Sequence, residues 1–476
     1  MLTAVQLPEV GRLRSLAPAS LRALGERLRV TGLGPRFAAR LARVGERVDD
    51  ALRAPMRIWH ARRMREPAAV VTRLFVLHDP VTPEEASDAL GDLGALLDAG
   101  FIEEGDAGLV SRVHLALAGE LFCFGDLPGL GGESVMPICG ATLELVRAAL
   151  PAAPVESALD LGCGAGPVGL LLARAARRVV ATDVSPRAVE LARLNADVNG
   201  VTNLEVRVGD LYEPVRGERF DRVAAHPPFV ARPAGVARST FVHGGARGDE
   251  LSLRVLAGAG AHLAPGGWAV VLGDWPLFEG DSLEARVRSA VGPKPLDVLV
   301  LQSPPKNLDE YCALHAAVEH RELGDAFARA AIGHRDHLEA LGLRGVAVGA
   351  VVVASGTGWT SLVPVRHVQD VPLTAETLER LRAARALAYG PAESLATARL
   401  RMPAGARLVE QPMPDGALPS VVVQLPAGRP EWPPVLDATL AARVARVAQA
   451  ARVDEAGAGA LETAREALLR GALDVT

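Results

Sequence analysis

The chain has 476 residues, 49% hydrophobic and 22% charged, with a formal net charge of −5. That length exceeds what one hydrophobic core organises, so about three domains are expected, and the composition excludes a disordered or collagen-like chain. No apolar run approaches the roughly 18 residues that span a bilayer, and no early stretch joins a basic start, an apolar run and a small-residue cleavage site. A cytoplasmic protein without a membrane partner is expected. Cys123, Cys139, Cys163 and Cys312 are the four cysteines, and with no Cys-x-x-Cys pair among them neither a metal site nor a disulfide framework is expected.

From the N-terminus, residues 19–65 carry apolar positions at helical spacing, interrupted near Gly32 and Gly34, which predicts several short helices. Residues 1–80 hold 15 Arg against 7 acidic residues, and residues 81–130 hold 1 Arg against 10. Such asymmetry either steers an anionic partner such as RNA or marks arginine-laced helix faces beside an acidic neighbour. Thr82-Pro-Glu-Glu85 has the hydroxyl, proline and glutamate of a capping box, so a helix should start there. A second helix ends at Gly100, and Phe101-Ile-Glu-Glu-Gly-Asp-Ala-Gly-Leu-Val predicts a hairpin. Helices followed by a hairpin resemble a winged helix, a module that docks nucleic acid or protein. Residues 1–130 are accordingly expected to form a helical, winged-helix-like accessory domain.

Beyond residue 155 strands and helices alternate, the pattern of a parallel α/β sheet with crossover helices. Seven strands are predicted, at 157–162, 178–183, 204–210, 221–226, 268–274, 296–302 and 346–354, within a domain spanning 131–357. Residues 358–476, richer in proline and closing on a helix, are expected to form a small C-terminal accessory domain.

The run Ser157-Ala-Leu-Asp-Leu-Gly-Cys-Gly-Ala-Gly166 ends a strand at Asp160 and opens an apolar helix through a glycine turn. Gly162, Gly164 and Gly166 let a ligand approach the backbone, and the helix N-terminus offers N–H groups. Taken alone, such a turn suits dinucleotides, phosphates or S-adenosylmethionine. The second strand ends in Asp183, whose carboxylate can accept hydrogen bonds from two ribose hydroxyls, and the third leads to Asp210 and Leu211. Asp-Leu-Gly-Cys-Gly-Ala-Gly, Asp183, Gly-Asp210 and a proline pair after the fourth strand together resemble class I S-adenosylmethionine-dependent methyltransferases. The resemblance implies a Rossmann-like seven-stranded core and S-adenosylmethionine as cofactor. Its cofactor-binding residues would be Asp160, Gly162, Cys163, Gly164, Gly166, Asp183, Val184, Asp210 and Leu211.

His226-Pro-Pro-Phe229 resembles the Asn-Pro-Pro-Tyr/Phe motif of the HemK-like group, whose members modify glutamine amides, with relatives acting on base nitrogens. Pro227, Pro228 and Phe229 match, and His226 departs from the asparagine. An amide presents donor and acceptor in one plane, whereas imidazole presents one of each on opposite sides and can take a proton. His226 is therefore the candidate catalytic residue, orienting or deprotonating the acceptor, or else a residue that packs locally. Pro227, Pro228, Phe229, His243, Asp249 and Trp275 are the candidate substrate-binding residues. The stretch around His243 and Asp249 reads either as a glycine-hinged lid or as a turn with a helix cap. Ser303-Pro304-Pro305 mimics the motif but follows the sixth strand, away from the methyl group.

The expected activity is methyl transfer to nitrogen or oxygen of an acceptor left open among peptide, small molecule and RNA. The alternatives are a HemK-like protein-glutamine or RNA-base N-methyltransferase and a non-catalytic, cofactor-binding regulator of nucleic acid. No oligomeric state follows from the sequence.

Overall fold

The computed structural model describes residues 7–127, 133–233, 241–320, 324–366, 370–411 and 420–476. At its centre is a sheet whose strands in chain order are β1 (Val155–Leu161), β2 (Ala176–Asp183), β3 (Leu204–Val208), β4 (Phe220–Ala225), β5 (Leu263–Phe278), β6 (Leu296–Lys306), β7 (Leu343–Ser355) and β8 (Thr360–Pro364). In space they run β8-β6-β7-β5-β4-β1-β2-β3. β1 to β5 pair in parallel, whereas β7 is antiparallel to both β5 and β6. Chain order reverses between β1 and β4, the place where open α/β sheets leave a crevice at their carboxyl ends. Interior strands are apolar on both faces because helices cover both: Leu159, Val180, Val223 and Val270 are wholly buried.

All seven predicted strands are present. β8 is an eighth, parallel to β6 and lying past the boundary expected at residue 357. β5, β6 and β7 also outrun their predicted lengths. β5 pairs with β4 only as far as Val271, then continues to Phe278 against β7 alone. The extension forms a wall beyond the carboxyl edge of the parallel strands.

Around the sheet lie α1 (Gly140–Ala149), α2 (Pro167–Leu172), α3 (Pro186–Asn199), α4 (Glu250–Ala259), α5 (Leu283–Val291), α6 (Leu308–Glu319) and α7 (Asp325–Ala340). α6 and α7 connect β6 to β7 and pack Tyr311, Cys312 and Leu338 with Phe278, Leu343 and Val346 of the strand extensions.

The N-terminal elements pack on α3. The predicted capping box is formed, with Glu85 N–H donating to Thr82 Oγ1 at 3.1 Å and Thr82 N–H to Glu85 Oε2 at 2.8 Å. The predicted hairpin follows, pairing Ile102–Gly105 with Gly108–Ser111. Part of the charge asymmetry closes on itself: Arg73 pairs with Glu85 at 2.7 Å and with Asp79 at 2.8 Å. Helix Pro18–Val30 crosses α3 so closely that a Cβ on Gly25 would lie 1.9 Å from the Val198 carbonyl oxygen. A second hairpin, Val113–Ala118 with Leu121–Asp126, presents an edge to α3. Buried Asn195 satisfies that edge, accepting from Phe124 N–H at 2.8 Å and donating to the carbonyls of Phe124 and Ala165, both at 2.9 Å. One carboxamide thus joins the N-terminal hairpin, α3 and the glycine turn.

The C-terminal segment builds a three-stranded antiparallel sheet from Arg407–Gln411, Ser420–Gln424 and Val435–Asp437, under helices Ala438–Gln449 and Ala460–Arg470. Helix Ala375–Tyr389 bridges two cores, placing Leu378 and Leu381 against the central sheet and Ala384 and Ala388 in the C-terminal core.

Thr82→Ala should lower the unfolding free energy by about 1 kcal/mol. Asn195→Ala leaves three backbone groups without partners and should cost about 2–4 kcal/mol. Urea unfolding of the two variants checks the ranking; an Asn195→Ala loss no larger than that of Thr82→Ala would contradict the bridging role.

Candidate functional site

The glycine turn is strapped to the neighbouring strand. The N–H groups of Gly162 and Cys163 both donate to the Thr182 carbonyl, at 2.8 and 2.9 Å, and Gly166 N–H donates to the Cys163 carbonyl at 2.8 Å. All three glycines have left-handed φ, 77° at Gly162, 53° at Gly164 and 84° at Gly166, which a side chain would resist. At Gly166 a Cβ would also lie 2.9 Å from Ala192 Cβ on α3, whereas at Gly162 nothing lies within 4 Å. Gly166 serves helix packing, and Gly162 is open backbone.

Asp160 lies buried beneath the turn, its Oδ2 accepting from Gly169 N–H of α2 at 2.7 Å. Burial pushes its carboxyl up to about 7. Asp183 bridges two loops: Oδ2 accepts from Gly164 N–H at 2.8 Å and Oδ1 from Ser185 N–H at 2.9 Å. Burial raises its pKa, against the pull of those backbone bonds.

Within the turn the N–H groups of Gly162, Cys163, Gly164 and Gly166 are engaged inside the protein, so the close backbone approach expected at the glycines comes without their donors. At the head of α2, Pro167 has no N–H and that of Gly169 is taken by Asp160.

Beside Asp183, Val184 is 58% exposed, an apolar side chain facing the cavity. Leu211 lines the opposite side with an unusual φ of 48°, its carbonyl accepting from Thr182 Oγ1 at 3.2 Å. Asp210 Oδ2 pairs with Arg254 of α4 at 2.7 Å.

These residues line a cavity of about 560 Å³ that continues to His226, Pro227, Pro228 and Phe229. The prolines hold the exit of β4 stiff, and the His226 ring lies tilted on Phe229 with centroids 5.3 Å apart. Burial lowers the His226 pKa to about 4, so the ring is neutral near pH 7.

Three candidate substrate residues lie outside the cavity lining. Trp275 is a core residue, with Nε1 donating to the Gly349 carbonyl at 3.4 Å; the extension of β5 carries it inward. Asp249 is buried against Arg286, Oδ2 to Nε 2.7 Å. His243 is buried on a short strand that pairs with Val230–Ala231. Glu250 accepts from the N–H groups of Arg247 and Gly248, both at 2.9 Å, which makes this stretch a capped turn.

Two walls escaped sequence reasoning. The segment Ser134–Thr142 lines the glycine side, with Val135 N–H anchored on buried Asp126 at 2.8 Å. His315 of α6, a residue without a role in the sequence reading, lines the acceptor side, whereas Ser303, Pro304 and Pro305 do not line the cavity. The long strand extensions return α6 to the cavity; the only local signal was Tyr311 and His315 sharing one helix face. Among the described residues no group of three or more His, Cys, Asp or Glu is arranged to hold a metal, and no helix is long and apolar enough to cross a membrane. All four cysteines are free thiols.

Residues 141–275 match the family model of the methyltransferase small domain, and residues 33–112 match a domain of unknown function, DUF7059. The release factor glutamine methyltransferase of Xylella fastidiosa (strain Temecula1) is 40% identical over 127 residues, covering 24% of this chain and 46% of that protein. Its counterpart in Koribacter versatilis is 32% identical over 183 residues, covering 32% and 65%. The ribosomal RNA small subunit methyltransferase C of Alcanivorax borkumensis is 33% identical over 123 residues, covering 25% and 34%. The chain spans about half the length of the first of these relatives. With the glycine turn, Asp183 and the proline pair around one cavity, these matches make the central unit a class I S-adenosylmethionine-dependent methyltransferase domain of the HemK-like group.

Proposed function

We propose that the chain binds S-adenosylmethionine between the glycine turn and Asp183 and transfers its methyl group to nitrogen or oxygen of an acceptor held against His226-Pro-Pro-Phe229. The observation that carries this reading is the charge character of the turn. A pyrophosphate-binding turn needs free N–H donors, and here those of all three glycines and Cys163 are internally bonded. What the turn leaves open is backbone beside the carboxylate of Asp183, with the buried acid of Asp160 beneath it. That surface suits a cationic ligand better than an anionic one. The fit extends outward: Asp183 keeps lone pairs for two ribose hydroxyls, and Val184 and Leu211 offer apolar surface to a flat base.

Bound there, S-adenosylmethionine supplies an electrophilic methyl on its sulfonium. The work of the chain is then to place and desolvate the acceptor. Phe229 gives a flat apolar face, and the proline pair keeps His226 from swinging away. With its pKa near 4 the imidazole is a weak base, so its role is to orient the acceptor by a hydrogen bond rather than to remove a proton beforehand. The relatives are named for protein-glutamine and ribosomal RNA methylation, which favours a macromolecular acceptor. On this reading the arginine-rich N-terminal unit, the methyltransferase unit and the C-terminal unit divide near residue 130 and after β8, with the outer units selecting that acceptor.

Calorimetry should find S-adenosylhomocysteine binding to the purified protein, weakened about 10-fold or more by Asp183→Ala, the loss of charge-assisted hydrogen bonds. No affinity in the wild type would sink the proposal.

With radiolabelled S-adenosylmethionine and host lysate split into protein, RNA and small-molecule fractions, His226→Ala should cut transfer about 100-fold through misplacement. His226→Asn should keep most of it. Unchanged turnover in both variants would remove His226 from the chemistry.

Transfer should hold from neutral pH down to about 5 and decline as pH approaches 4, where His226 gains its proton. A decline centred near the ordinary histidine pKa of about 6.5 would contradict the buried, neutral ring.

A further inference from the structure

The cavity holds a second imidazole. His315 meets the edge of Phe229 with centroids 6.0 Å apart and planes at 79°, while His226 lies on the same ring from the other element at 5.3 Å and 34°. Two histidines from distant parts of the chain, one at the exit of β4 and one on α6, therefore flank a single phenyl ring. The methyltransferase match stops at residue 275, and α6 lies beyond it.

His315 is packed on one side. Tyr311, one helical turn earlier, packs against it at 4.4 Å, and Tyr311 is itself buried in the small core under the strand extensions. Yet its Nε2 is buried with no hydrogen-bond partner among the described residues. Buried polar atoms are ordinarily satisfied, and an exception calls for a partner from elsewhere. A turn about χ2, a broad torsion in histidine, would present that nitrogen to a bound group. Burial lowers the pKa of His315 to about 3, aided by Lys306, His334 and His243. The neutral ring carries one N–H and one lone pair.

We infer that His315 is a second acceptor-binding residue, and that the cavity takes an uncharged hydrogen-bonding group lying against Phe229 between His226 and His315. The inference rests on the methyl-transfer reading above. A charged group placed there would shed its water against a phenyl ring and two neutral imidazoles, and the nearby Lys306 is already paired with Asp274 at 3.0 Å. An uncharged amide, hydroxyl or ring N–H would lose no ionic hydration and would gain a partner on each side.

The test uses the full chain saturated with S-adenosylhomocysteine, titrated with propionamide, propionate and propylammonium while the histidine Cε1 signals are followed by NMR. Propionamide should move the signals of both His226 and His315 at concentrations where the two ions move neither. His315→Phe, which keeps an aromatic ring in place, should weaken propionamide about fivefold and leave S-adenosylhomocysteine affinity unchanged, and His315→Asn should recover part of the loss. Propionamide shifting only His226, equal binding of the ions, or undiminished binding to His315→Phe would each overturn the inference. Should S-adenosylhomocysteine fail to bind, the methyl-transfer reading falls, and the same titration of the unliganded protein still decides the role of His315.

Discussion

The carboxylate of Asp183 is the contact on which the cofactor end of the cavity depends. One oxygen holds the amide of Gly164 and the other that of Ser185, so a single side chain ties the turn after β1 to the loop after β2. Both loops are thereby set before any ligand arrives, and little ordering is left to oppose binding. Burial makes the charged form costly, and the two backbone donors offset that cost. Because the amides of Gly162, Cys163, Gly164 and Gly166 are spent on acceptors within the protein, the turn keeps few donors for a phosphate. The same bonds that rigidify the site therefore also set its preference by charge.

At the other end the cavity follows a different logic. His226 and His315 are both neutral through burial, and both lie on Phe229. The two ends thus differ in kind, with carboxylates beside the glycine turn and uncharged aromatic rings around the proline pair. On the proposed reading, a cationic donor at the first and a neutral acceptor at the second is the arrangement with the least uncompensated charge.

The outer units bear on this cavity through few, identifiable contacts. Asn195 passes hydrogen bonds from the N-terminal hairpin to the glycine turn, and Asp126 of that hairpin anchors Val135 on the cavity wall while pairing with Arg187 of α3. On the far face, the Arg222 guanidinium lies 3.6 Å from the Trp268 ring centroid and pairs with Glu379 of the bridging helix at 3.1 Å. The accessory segments are in this way continuous with the central fold, and the hairpin reaches the site itself.

What could be read without coordinates was whatever is local or periodic. The capping box at Thr82, the turn at Gly162–Gly166, the acid closing β2 and the stiff His-Pro-Pro exit are each encoded within a few neighbouring residues, and the strands announce themselves as apolar runs. What the tertiary structure alone decided was where the long strands end and what they carry. Registers beyond Val271 took Trp275 into the core, closed Asp249 onto Arg286 and brought His315 up to Phe229. The destination of the glycine-turn amides was equally hidden, since a sequence shows that a donor exists but not which carbonyl or carboxylate lies within 3 Å of it. Side-chain meetings across tens of residues depend on strand register and helix packing, and no short-range pattern records either.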